Sequence, residues 1–261
     1  MVSETSYIEN LLSSSCIFSA ETLPKNIDLK EVAKFVDVSL KGKFNWLLNK
    51  TFTKNFKNIT TYTYTQQLNN DFWCMRYTIL EDVSIEAFRN EFVKKLNGSI
   101  FDVQSEKYVL TSDQLPSRCY LEKEYIHSLV DVTCRDMIVS EGSSSGFVNI
   151  KNVYELKPSW LLNKRSFCQW VYVGTPFISD DGSYEISVVV SLRAAQEKSD
   201  ATNGYYVSVE CLKYDIHNKI LVWSMATCSD AGGYLPKYLQ KAGIDKAIVE
   251  DVPSFLKFIK F

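Results

Sequence analysis

The spacing of apolar residues changes along the chain, and each change marks an expected element. Ile8, Leu11 and Leu12 share one helical face, and residues 3–40 read as helical. After Pro24, Val32, Phe35, Val36 and Leu40 place a second amphipathic helix over residues 28–40, with Gly42 as its stop. Residues 43–58 interleave Lys43, Lys50, Lys54 and Lys57 with Phe44, Trp46, Phe52 and Phe56. That pattern suits a loop with inward aromatics and solvated lysines, or else a patch facing phosphate. Strand period begins at residue 60, where Thr and Tyr alternate, and Asn69-Asn70 supplies a hairpin turn. In the second arm, residues 72–80, Trp73, Met75, Tyr77 and Ile79 share one face, and Arg76 and Thr78 the other.

Ser84 opens a helix with its apolar stripe at Ile85, Phe88, Phe92 and Leu96, and Asn97-Gly98 ends it. Strands are expected at about 105–111, 118–126, 130–139, 147–156 and 166–174. The three longest follow at about 184–193, 204–214 and 219–228, with turns at Asp180-Asp181-Gly182 and His217-Asn218. The period then returns to that of a helix. Leu235, Tyr238, Leu239 and Ala242, then Ile248, Val252, Phe255, Leu256 and Ile259, give one long helix, expected to break near Gly243 and again near Asp251. A sheet of this length curls, and the terminal helix is the element available to cover its concave face. The expected class is α+β.

Composition refines this picture only slightly. The 261 residues are 46% hydrophobic and 23% charged, with a formal net charge of -2, so no global basic field draws the chain to nucleic acid. The 15 Tyr, 15 Phe and 5 Trp fill either a β-rich core or a ligand cavity. Seven cysteines stand without CxxC or a nearby His pair, which argues against zinc and against a disulfide framework; no metal or cofactor is expected. The N-terminus lacks a secretory pattern and no apolar run reaches membrane length, which points to a cytoplasmic location.

Two segments carry a family resemblance. YELKPSWLLNKRSFCQWVYV, residues 154–173, is similar to the stretch of START-like lipid-transfer domains in which an Arg-Asp-Phe signature opens a strand; Arg165 and Phe167 match, and Ser166 replaces the Asp. Residues 204–243 resemble the START ending: two paired strands, an Asp-x-Gly-Gly turn and a Leu-Pro-Lys-aromatic helix start, here Asp230, Gly232, Gly233, Leu235, Pro236, Lys237 and Tyr238. The tail DVPSFLKF, residues 251–258, is similar to a START-like family found in fungi. The resemblance covers about residues 45–261, which makes residues 1–42 an N-terminal helical extension and 43–261 a START-like domain. It implies the helix-grip fold, a curved antiparallel sheet around a long C-terminal helix, and an internal cavity for a lipid or other hydrophobic small molecule.

Strand alternation then selects inward candidates, with the reservation that a one-residue slip exchanges the faces. These are Trp73, Met75 and Tyr77 from the hairpin, Trp170 and Tyr172, then Tyr206, Trp223 and Met225 from the last strands. Phe88, Phe92, Leu239, Ala242 and Ile248 come from helices. Arg135-Asp136 interrupts an apolar strand, so one of the pair faces inward, as a headgroup anchor or a salt-bridged structural group. Glu122, Glu124 and Glu210 are expected to face outward. Trp160, Leu161 and Leu162 correspond to the START flap, where they either touch a membrane transiently as a lid or pack over the terminal helix. No GxSxG, HExxH, P-loop or dinucleotide fingerprint is present, and catalysis is not expected. Three readings stay open: lipid binding for transfer or sensing, a protein-interaction module with a filled core, and a helix-grip hydrolase or cyclase.

Overall fold

The structure, a computed structural model, describes residues 4–40, 44–53, 59–139, 145–156, 163–234 and 236–261; the side chains of residues 4–6, 139, 237, 239 and 242 lie outside the description. Two helices open the chain, α1 (Glu4–Leu11) and α2 (Leu29–Phe35). Asp28 caps α2 by accepting from the Glu31 amide at 3.1 Å. Then come β1 (Leu47–Thr53), β2 (Thr60–Leu68) and β3 (Asp71–Leu80). The next helix, α3 (Ile85–Ala87), runs straight into a π-helical stretch, Phe88–Asn97. Ser84 caps its start, and Gly98, at φ 97°, ends it by donating to the Val93 carbonyl five residues back. A small hairpin, β4 (Ile100–Asp102) and β5 (Lys107–Val109), leads to α4 (Gln114–Tyr125). The remaining strands are β6 (Leu129–Val139), β7 (Gly146–Tyr154), β8 (Arg165–Val173), β9 (Phe177–Ile178), β10 (Tyr184–Arg193), β11 (Thr202–Asn203), β12 (Tyr205–Asp215) and β13 (Ile220–Asp230). The last helix is α5 (Lys237–Phe258).

Eleven strands form one sheet in the order β1-β2-β3-β13-β12-β10-β8-β7-β6, with β9 beside β10 and β11 beside β8. Every pairing is antiparallel except that of β11 with β8. The join between β3 and β13, from Leu80 opposite Leu221 to Cys74 opposite Thr227, unites the two ends of the chain in one surface. Twist accumulated over this many strands curves the sheet, and α5 packs across it against β2, β3 and α4.

Both faces of the sheet are covered. Helices α1 and α2 bring Ile8, Leu12, Val32 and Phe35 onto one face, where they meet Trp73, Met75, Trp170, Val190 and Val209. Phe35 and Trp73 pack edge to face at 5.2 Å between centroids. On the other face lie α4, the π-helix and α5, where Phe92, Trp223, Tyr125 and Phe255 form an aromatic cluster.

Four expectations change. Residues 118–126 belong largely to the helix α4: Leu115 and Cys119 bury one face, and Arg118 pairs with Glu122 one turn on at 2.7 Å. The segment read as a basic loop contains β1, an edge strand whose Lys50 reaches Asp245 of α5 at 2.5 Å. The N-terminal region is helical only over α1 and α2. The terminal helix is continuous, with no break at Gly243 or Asp251, and it holds Pro253 inside. Burial of Val249, Val252, Phe255 and Leu256 outweighs the glycine cost of about 1 kcal/mol and the one backbone bond that Pro253 forfeits.

The turn from β13 into α5 depends on Gly232 and Gly233, at φ 67° and 66°. A Cβ at Gly232 lies 2.0 Å from the Asn203 carbonyl oxygen, whereas one at Gly182, also left-handed, meets nothing within 4 Å. Gly232→Ala is expected to destabilise by about 2–4 kcal/mol and Gly182→Ala by about 1–2 kcal/mol, measured by chemical denaturation.

Candidate functional site

Between the sheet and α5 lies a cavity of about 590 Å³. Its wall follows strand alternation. Phe72 and Arg76 of β3, Trp223, Met225 and Thr227 of β13, and Tyr206, Ser208 and Glu210 of β12 point into it. So do Val189 and Ser191 of β10, Phe167, Gln169 and Val171 of β8, and Asn152 and Tyr154 of β7. α4 contributes Arg118, Glu122 and Tyr125, and α5 contributes Gln240, Gly243, Ile244, Ile248 and Asp251.

The expected contacts divide by strand. Tyr206, Trp223, Met225 and Ile248 line the cavity, and Ile248 packs with Met225 and Cys74. Trp73, Met75, Trp170 and Tyr172 face the other way, into the core under α1 and α2, because that face takes the bulkiest apolar side chains. Tyr77 lies on that same side, in a smaller recess of about 370 Å³ beneath α2. Phe88 and Phe92 sit behind the cavity wall, Phe88 stacked on Tyr214 at 4.7 Å, and fill the space below its inner end. Arg135 is held outside by Glu197, which accepts from both of its terminal nitrogens, so the proposed anchor pair does not enter the cavity. The side chains of Leu239 and Ala242, and all of Trp160, Leu161 and Leu162, lie outside the described residues.

The ionic groups inside the cavity are ones the alternation argument put outside or did not weigh. Arg76, only 2% exposed, donates to Glu210 at 2.9 Å and lies over the Trp223 ring at 4.2 Å. Glu210 also accepts from the Trp223 indole at 2.9 Å. Arg118 and Glu122 form a second buried pair. Asp251, on α5, makes no hydrogen bond or ion pair with a described residue. Burial pushes its carboxyl up to about 7; Arg76 pulls against that rise, and Glu210, Glu122 and Glu250 add to it. Burial also raises Glu122, with Arg118 opposing. The Nε and Nη1 of Arg76, the Nε of Arg118, Asn152 Oδ1 and Gln169 Oε1 are buried without a partner. Unsatisfied hydrogen-bonding groups are therefore left on several strands of the cavity wall.

This architecture is a START-like helix-grip fold. The human StAR-related lipid transfer protein 5 is similar over 82% of this chain and 86% of its own, with a TM-score of 0.53 at 10% identity. Human STARD10 is similar over 93% and 84%, with a TM-score of 0.54 at 13% identity. A STAR-related lipid transfer protein from Xanthomonas axonopodis is similar over 83% and 99%, with a TM-score of 0.51 at 8% identity. The chain belongs to the family described as Protein of unknown function (DUF3074), whose profile matches residues 73–259. No curated protein matches the sequence. Among the described residues, no helix is long and apolar enough to cross a membrane and no group of His, Cys, Asp or Glu is arranged to hold a metal ion.

Asp251 keeps its proton in the folded chain at pH values where the unfolded chain has released it, so stability falls as pH rises from the ordinary carboxylate range through about 7. Asp251→Asn removes that loss: its melting temperature is expected to exceed the parent's at about pH 8 and to converge with it at about pH 4, by calorimetry across pH. Arg76→Met strands Glu210 and is expected to cost about 3–5 kcal/mol. The double change Arg76→Met, Glu210→Gln is expected to cost less than that single change in the same denaturation assay.

Proposed function

We propose that this protein binds a lipid or similar hydrophobic small molecule in the cavity between the sheet and α5, and that it carries or senses that molecule inside the cell without altering it. The observation that carries this reading is the cavity itself. Its 590 Å³ falls within the ~300–1,000 Å³ usual for ligand sites, and at ~30 Å³ per water-sized group it holds about twenty such groups. That is enough for a single apolar skeleton. Tyr206, Trp223, Met225 and Ile248 are the side chains we assign to ligand contact, since they form much of its apolar wall. The START-like fold supports the same reading by analogy: the similar structures are named as lipid transfer proteins. Trp160, Leu161 and Leu162, which follow the cavity-lining Leu156 in sequence, are retained as the proposed lid or membrane contact.

A core filled to native density, as an interaction module requires, leaves no chamber of this size. The enzyme reading draws support from one observation, the unpaired Asp251 with its raised carboxyl. Against it, neither His127 nor His217 lines the cavity, and the cavity-lining Cys228 has its thiol pushed up to about 12 by burial, which leaves it a poor nucleophile.

The test is native mass spectrometry of the protein purified from its own cells, with extraction and identification of whatever accompanies it. A stoichiometric lipid is expected. Gly243→Leu, placed where an added side chain meets open space on the cavity wall, is expected to lower its occupancy at least severalfold while keeping the fold. An empty protein that gains neither mass nor thermal stability from sterols, phospholipids or sphingolipids would overturn the proposal. Chemical conversion of an added lipid would favour the enzyme instead.

A further inference from the structure

The inner end of the cavity has an uneven charge count. Five ionisable side chains meet there from four elements: Arg76 from β3, Glu210 from β12, Arg118 and Glu122 from α4, and Asp251 from α5. Each guanidinium already has a carboxylate, Arg76 with Glu210 and Arg118 with Glu122. Two cations thus stand against three carboxylates, and the carboxylate left over is Asp251, without an ionic or hydrogen-bonded partner among the described residues. An unpaired carboxylate that is half-buried on a cavity wall loses part of its hydration, and a single added cation balances the set. A phosphate or fatty acid headgroup has the wrong sign, since neither arginine at this end is without its own carboxylate.

The second need is for a hydrogen-bonding oxygen. Arg76 lines the chamber with Nε and Nη1 lacking an acceptor, while Gln169 Oε1 and Asn152 Oδ1 lack a donor. A ligand hydroxyl answers the first of these needs, since its oxygen accepts from a guanidinium. Most of the remaining wall residues are apolar or aromatic, beside the hydroxyls of Ser191, Ser208 and Thr227 and the charged Asp71, Asp230 and Lys241, and the volume suits one chain rather than two.

Direction follows from the helix. Asp251 lies eleven residues beyond Gln240, about 16 Å along α5. The inner end is closed by Phe92 and Phe255, both fully buried, whereas Tyr234, just before α5, is fully exposed. From these observations we infer that the cavity takes a single-chain amphipathic amino alcohol, head inward, with its ammonium on Asp251 and its hydroxyl accepting from Arg76. This rests on the carrier reading above and names its ligand class.

An ammonium stays charged through the neutral range, so binding depends on ionisation of Asp251. The groups facing that carboxyl are Arg76 from β3, Tyr206 and Glu210 from β12, Tyr154 from β7, Glu122 and Tyr125 from α4, and Glu250 on its own helix. Of the carboxyls, Asp251 is raised to about 7 and Glu122 is raised with it, so proton uptake on acidification opposes the amine. Affinity for the amine therefore falls as pH drops below about 7, by up to tenfold per unit.

Isothermal titration of the intact chain with a ten-carbon 2-amino-alcohol, with decanol and with decanoate tests this. At about pH 8 the amino alcohol is expected to bind one-to-one, at least ~tenfold tighter than either comparison, and to weaken at least ~tenfold at about pH 5. Asp251→Asn is expected to erase both the preference and the pH dependence while decanol binding persists. Decanol or decanoate binding as tightly as the amino alcohol, or a preference that survives in Asp251→Asn, would overturn the amino-alcohol inference and leave the carrier reading standing. Binding of none of the three would also overturn the inference, whereas the carrier reading stands or falls on co-purification and the panel of sterols, phospholipids and sphingolipids.

Discussion

A sheet buried on both faces must divide its alternate residues between two different interiors, and the rest of this structure depends on that division. On one face the neighbours are α1 and α2, and apart from the recess beneath α2 the surface is closed with Trp73, Trp170, Val190 and Val209. On the other face the neighbours are α4, the π-helix and α5, which arch away from the middle of the sheet and leave the cavity. Dense packing removes apolar area from water most completely, at about 25 cal/mol per Å², so the heaviest side chains of β3 and β8 go where the contact is tight. The cavity side keeps the residues able to face an open chamber: Arg76, Gln169, Ser191, Ser208 and Glu210.

That division sets what was legible beforehand. Element order was readable because turns and periods are local: the hairpin around Asn69, the capped helix after Ser84 and the Asp230-Gly232-Gly233 turn each announce themselves. Asn69 adopts φ 52°, as its turn requires, and the Asp230 carboxylate accepts from the Gly232 amide at 2.7 Å. Helix α4 was not readable, because LPSRCYLEKEY alternates as well as it spirals. Its helical form is favoured locally by the Arg118–Glu122 pair, which forms only once the chain is helical, and over long range by burial of Leu115 and Cys119 against neighbouring strands.

The cavity face was legible on β12 and β13 and illegible on β3 and β8. Alternation separates two sets but does not say which is inward when both are buried. On β12 the contrast of Tyr206 and Glu210 with Val207 and Val209 happened to coincide with bulk; on β8 the larger pair, Trp170 and Tyr172, took the tight side. The same ambiguity hid the charges. Glu210 and Glu122 read as solvated surface because carboxylates usually are, and only the assembled sheet puts Arg76 within 2.9 Å of one and α4 wraps the other with Arg118.

The buried pairs explain how the chamber stays open. Apolar walls facing each other across a gap gain by collapsing, and a chamber lined only with Val and Leu has nothing to resist closure. Arg76, Glu210 and the Trp223 indole form one bonded unit, and Arg118 and Glu122 another, so neither side can approach without desolvating or breaking ion pairs that are costly to lose. Continuity of α5 serves the same end. Because the helix does not break at Gly243 or Asp251, it spans the chamber as one rigid strut, tied near its start by Gln240 to Asp230 at 3.2 Å and in its middle by Asp245 to Lys50 at 2.5 Å. Beyond these ties the strut is anchored by Phe255 and Leu256 in the aromatic cluster, and Asp251 is presented to the cavity from the turn between the two anchorages. A helix held at both ends over a propped sheet makes a ligand-sized space, and it places an unpaired carboxylate at a defined point on its wall.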